Sequence, residues 1–120
     1  SAEQLVNKNL KIINRLPDYL KMISPGELNL AMQNQDIFLM DVHTPEQQHI
    51  KGTDVFVPYD QIGSFQNRLP QDKSKPIYIY CRSGHMGNAA AKSLHDLGYL
   101  TLFNLDGGIN AWKKAGFSVQ

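Results

Sequence analysis

Ile77-Tyr78-Ile79-Tyr80 is an unbroken apolar run of strand length that ends on the chain's only cysteine, Cys81. The next residues, Arg82 to Gly87, hold two glycines and lead into a helix-patterned segment from Asn88 to Leu97. An apolar run without polar alternation needs cover on both faces, as a strand inside a parallel α/β sheet has it. Ala90, Ala91, Leu94 and Leu97 make a narrow stripe of mostly small residues, suited to lying close on such a sheet, and Gly98 ends the helix. Strand, loop and helix thus form one unit with a thiol at its turn. Loop N–H groups turned inward, with the positive end of the helix behind them, would favour the thiolate over the thiol.

The same alternation runs through the rest of the chain. Ser24-Pro25-Gly26-Glu27 reads as a capping box with proline at the first helical position, starting a helix through about Met32. Ile37 to Met40 and Val55 to Val57 read as buried strands, and Thr44-Pro45-Glu46-Gln47 repeats the cap pattern and suggests a short helical turn. One short helix fits Ile62, Phe65 and Leu69. Leu100 to Leu105 is a further strand, followed by an Asp106-Gly107-Gly108 loop and a short helix from Ile109 to Ala115. Residues 1–23 show apolar positions at three- and four-residue steps, including Leu5, Ile12, Ile13, Leu16, Leu20 and Ile23. They predict a helical extension packed on the domain, broken or kinked at Pro17. The expected architecture is α/β, a parallel sheet flanked by helices on both faces, with residues 24–120 as the domain proper.

Composition narrows the function classes. A chain of 120 residues can bury roughly 65% of the surface it exposes unfolded, so it needs no disulfide to be stable. A net charge of +1, with no Lys/Arg block, offers no field for nucleic acid or an anionic membrane. No apolar run approaches the ~18 residues of a membrane span, and a soluble protein is expected. One cysteine excludes an internal disulfide and any Cys-x-x-Cys pair, leaving an inert buried thiol or a reactive one. Four histidines, His43, His49, His85 and His95, lack metal-ligand spacing, so neither metal nor other cofactor is expected.

Ligands of open α/β sheets lie beyond the carboxyl ends of the strands, where Asp41, Cys81 and Asp106 all fall. Cys81 at a strand end, ahead of Arg82-Ser83-Gly84, reads as the nucleophile. Ser83 and Gly84 would act through their backbone, and His85 as a solvent-facing residue or as one that steers an anion or a proton. Asp41 and Asp106 read as structural partners of loop N–H groups or basic residues. Trp112 reads as core.

Four stretches together resemble the rhodanese-like sulfurtransferase family. Asp41-Val42-His43-Thr44-Pro45-Glu46 is similar to its Asp-Val-Arg-x-x-Glu signature, and His49-Ile50-x-Gly52 to its His-Ile-x-Gly-Ala turn. Cys81-Arg82-Ser83-Gly84 resembles the start of its catalytic loop, and Asp106-Gly107-Gly108 through Trp112 to Gly116 the close of the domain. The resemblance implies a single rhodanese domain whose cysteine takes a sulfane sulfur from a donor such as thiosulfate, becomes a persulfide, and passes the sulfur to a thiol or cyanide-like acceptor. It implies a substrate-binding loop of Arg82, Ser83, Gly84, His85, Met86 and Gly87, with Arg82 as the cation facing the anionic donor. Asp41, His43 and Asp106 are expected as structural support.

Two departures stand out: Met86 where family loops often carry a basic residue, and His43 where the signature has arginine. The first motivates an alternative, a non-catalytic binding or regulatory module, and the unpaired cysteine a second, a thiol redox sensor. Cysteine phosphatases need an arginine six residues after the cysteine, where this chain has Gly87. The implied partners are a small sulfur donor and a thiol-bearing acceptor, small molecule or protein. Thr53 to Asp60 resembles a subgroup associated with exported bacterial proteins, so cytoplasmic and extracytoplasmic placement both fit.

Overall fold

The computed structural model describes residues 16–120. Its strands are β1 (Leu20–Ile23), β2 (Phe38–Asp41), β3 (Val55–Phe56), β4 (Ile77–Tyr80) and β5 (Leu102–Leu105), joined in one parallel sheet in the order β1-β5-β4-β2-β3. The apolar run at 77–80 occupies the middle of this sheet as β4, with all four residues buried. Period-two geometry then divides its side chains between two cores. Ile77, Ile79 and Cys81 face a helix α2 (His85–Asp96) and a 3₁₀ helix over Ile62–Arg68, through Ala90, Ala91, Leu94 and Ile62. Tyr78 and Tyr80 face α1 (Pro25–Asn34) and α3 (Gly108–Lys114), through Leu28, Ile109 and Trp112. Helical segments on both faces of a parallel sheet are what the uninterrupted apolar strand requires.

The start of α1 forms as its sequence predicts. Ser24 Oγ accepts the Glu27 N–H at 3.1 Å and Glu27 Oε1 accepts the Ser24 N–H at 2.9 Å, a reciprocal cap with Pro25 at the first turn. At the other end of the chain Trp112 is buried, and its Nε1–H donates to the Ser118 carbonyl at 2.9 Å.

Three expectations are corrected. Leu20–Ile23 is a strand, not the end of a helix, because backbone pairing at the β5 edge overrides the three-residue spacing that Leu20 and Ile23 share with a helical pattern. Leu102 N–H donates to Tyr19 O at 3.2 Å and Asp106 N–H to Ile23 O at 2.8 Å, so the sheet takes in residues before the boundary expected at 24. The remainder of the helical reading, residues 1–15, lies outside the described residues. Thr44 to Gln47 makes no helical turn, since Glu46 turns its carboxylate to His49 instead of capping its own segment. Lastly, α2 begins at His85 rather than Asn88.

Candidate active site

β2 and β4 are neighbours whose next strands lie in opposite directions, β3 on one side and β5 on the other. The loops leaving them therefore diverge and open a crevice at their carboxyl ends, the usual ligand position in such sheets. The register sets Asp41 beside Tyr80, one residue before Cys81. A cavity of about 220 Å³ sits at this crevice, lined by His43 from the β2 side and by Cys81, Arg82, Ser83, His85 and Met86 from the β4 side.

Cys81 is 2% exposed, so its sulfur lies at the floor of the cavity. The turn above it is made by Gly84, whose φ of +125° is a conformation that side-chain-bearing residues rarely adopt. That single residue lets α2 start at His85 and aims the Gly84 N–H at Cys81 Sγ, 2.9 Å away. The sulfur thus faces a backbone amide donor at the N-terminus of a twelve-residue helix. Of the N–H groups expected around the sulfur, that of Gly84 is the donor within hydrogen-bond distance.

The loop is held from beneath by residues that sequence reasoning missed. Asn104, buried on β5, donates through Nδ2 to Gly84 O at 3.0 Å and to Asn88 Oδ1 at 2.9 Å, tying the sulfur's donor residue to the first turns of α2. The signal for it was one amide inside the apolar run Leu102-Phe103-Asn104-Leu105. The first turn of α3 supplies the second tie, with Ile109 N–H donating to Cys81 O at 2.8 Å and Asn110 N–H to Arg82 O at 3.2 Å. Gly108 must be glycine there, because a Cβ would run into the carbonyls of Cys81 and Arg82. Gly87 likewise sits against the Asn104 amide, where a Cβ would collide, and is buried.

The structure therefore separates the expected site residues. Arg82, Ser83, His85 and Met86 line the cavity, whereas Gly84 and Gly87 serve it through backbone and close packing. His43, expected as support, lines the cavity itself. Asp106 is exposed, and support of the loop falls to Asn104 and α3.

Asp41 is buried and holds the loop after β2. Its Oδ1 accepts the His43 N–H at 2.9 Å and its Oδ2 lies 2.6 Å from His49 Nδ1. His49 Nε2 is 2.6 Å from Glu46 Oε2, so each ring nitrogen faces a carboxylate. Burial works against the charged ring, but the two carboxylates outweigh it and raise the His49 pKa above its ordinary 6.5. A raised histidine pKa gives stability that is full below 6.5 and lost as pH rises through the folded-state value. Urea unfolding of His49→Gln should therefore show its largest deficit against the natural protein near pH 6, with the gap narrowing at alkaline pH. A gap that is constant or widens with pH would refute the ion-paired assignment.

The class defined by the fold and site is an open parallel α/β domain with a buried cysteine at the end of a central strand, beneath a helix N-terminus. Residues 24–115 match the family model described as Rhodanese-like domain. The chain is 33% identical over 98 residues to an uncharacterized protein of Synechocystis sp., covering 78% of this chain and 52% of that protein. It is 32% identical over 87 residues to a sulfurtransferase of Allochromatium vinosum, covering 71% of this chain and 79% of that protein. Among solved structures, a rhodanese-like domain protein from Staphylococcus aureus superimposes with a TM-score of 0.67 at 26% identity, over 77% of this chain and 90% of the other. The chain belongs to the rhodanese-like domain family, a sulfurtransferase-type family, and spans about half the length of its Synechocystis relative. Among the described residues no helix is long and apolar enough to cross a membrane.

Proposed function

We propose that this chain is a sulfurtransferase that carries a sulfane sulfur as a persulfide on Cys81, taking it from a donor such as thiosulfate and passing it to a thiol or cyanide-like acceptor. The observation that carries the reading is the Gly84 N–H on Cys81 Sγ at the floor of a cavity open to small molecules. In the first half-reaction the Cys81 thiolate attacks the outer sulfur of thiosulfate. A new S–S bond forms, the old one breaks, and sulfite leaves with the bonding electron pair. In the second, the acceptor attacks the outer sulfur of the persulfide and Cys81 leaves as thiolate. The amide and helix end stabilise the anion at sulfur in both.

Arg82 is the cation of the cavity rim and suits an anionic donor, while Met86 contributes no charge. The redox-sensor alternative predicts instead a disulfide-linked dimer or a mixed disulfide on oxidation, and no sulfur relay. Incubation with thiosulfate and cyanide should yield thiocyanate with turnover saturating in both. Absence of thiocyanate, together with undiminished capture of a protein partner by Cys81→Ala, would instead favour the binding-module reading.

A further inference from the structure

The residue that replaces the signature arginine does not hang free. His43 is fixed twice: its backbone N–H donates to Asp41 Oδ1 at 2.9 Å, and its ring Nδ1 lies 2.9 Å from the Pro45 carbonyl oxygen. A carbonyl can only accept, so Nδ1 carries the proton. In the neutral ring Nε2 is then the nitrogen with a free lone pair. Asp41 is itself buried and braced by His49, so the whole turn from Asp41 to His49 holds one imidazole at the rim of the cavity that contains Cys81. Arginine could not hold such a lone pair, because it stays protonated.

Resting on the proposed persulfide chemistry, we infer that His43 is the proton acceptor for the acceptor half-reaction, which makes the site suited to protonated thiols as sulfur acceptors. An incoming R–SH gives its proton to His43 Nε2. The R–S⁻ so formed attacks the outer sulfur of the Cys81 persulfide. The new S–S bond forms as the Cys81 Sγ–S bond breaks, and the electron pair returns to Cys81 Sγ beside the Gly84 N–H. The donor half-reaction with thiosulfate involves no proton to be removed and does not need His43. Cys81, Arg82 and His85 are the other titratable or charged groups lining the cavity, and His85 presents its ring from the exposed first turn of α2.

Two acceptors separate this role from a structural one. Protein loaded with thiosulfate and freed of excess donor is discharged at pH 8 with either 2-mercaptoethanol, which must lose a proton, or sulfite, a dianion that attacks without losing one. Loss of the extra sulfur is followed by intact mass. His43→Gln should slow discharge to the thiol by about 100-fold, the low end for a general base, and leave discharge to sulfite within about threefold. Added imidazole should restore thiol discharge in His43→Ala. Equal slowing with both acceptors, no slowing with either, failure of His43→Gln to load, or the thiol-specific loss appearing in His85→Gln instead would each overturn the assignment. A natural protein that never takes up sulfur would fail the proposed function itself, which the His43 variants cannot mimic.

Discussion

Cys81→Ser will lose thiosulfate-dependent turnover by on the order of a thousandfold or more while keeping the fold. Serine is close to cysteine in size, and its hydroxyl can take over the Gly84 N–H that now points at the sulfur, so the loop and α2 keep their positions. An alkoxide at neutral pH is far scarcer than a thiolate, and an oxygen nucleophile cannot form a persulfide. Thermal unfolding close to that of the natural protein, with no thiocyanate formed from thiosulfate and cyanide, is the expected pair of results. Retained turnover would mean that sulfur passes through the site without resting on Cys81, and the covalent reading would fall.

Gly108→Ala will destabilise the domain and disturb the cysteine loop together. Its φ of +59° lies in the left-handed region, and a Cβ there would collide with the backbone of Cys81 and Arg82. Strain in the left-handed region and overpacking each cost about 1–3 kcal/mol, so a loss of about 2–6 kcal/mol is expected from urea unfolding. Gly116→Ala is the control, since Gly116 has a φ of +87° but nothing near its missing Cβ. It should show the strain alone, about 1 kcal/mol. Because the Ile109 and Asn110 N–H groups bond to Cys81 O and Arg82 O, displacement of α3 should also change the rate at which iodoacetamide alkylates Cys81. Equal losses in the two variants, with unchanged alkylation, would show that α3 does not clamp the loop.

What the sequence disclosed, and what it withheld, follows from the range of the interactions. β4, the Cys81 turn and α2 were legible because apolar run, glycine and small-residue stripe are local signals. The start of α2 was not, because two glycines with different duties look alike in a sequence: Gly84 makes the turn through its φ, and Gly87 is inside the helix to admit Asn104. Leu20 and Ile23 fit a helical pattern as well as a strand, and only pairing with the edge of β5 decides between them. Asp106 looked like the supporting residue at the end of β5, but support comes from Asn104, two positions earlier, whose side chain points under the loop toward the Gly84 carbonyl. His43, standing where the signature has arginine, reads as structural support without that cation. The ring hydrogen bond to Pro45 and the shared cavity with Cys81 make it a candidate proton acceptor, and neither feature can be read from spacing.

The central claim is that Cys81 accepts sulfur, and intact mass spectrometry of the natural protein after brief incubation with thiosulfate tests it directly. One added sulfur atom per chain, mapped to the peptide containing Cys81, absent in Cys81→Ser and released by cyanide, is the predicted result. An unmodified Cys81 under conditions in which the protein remains folded would contradict it.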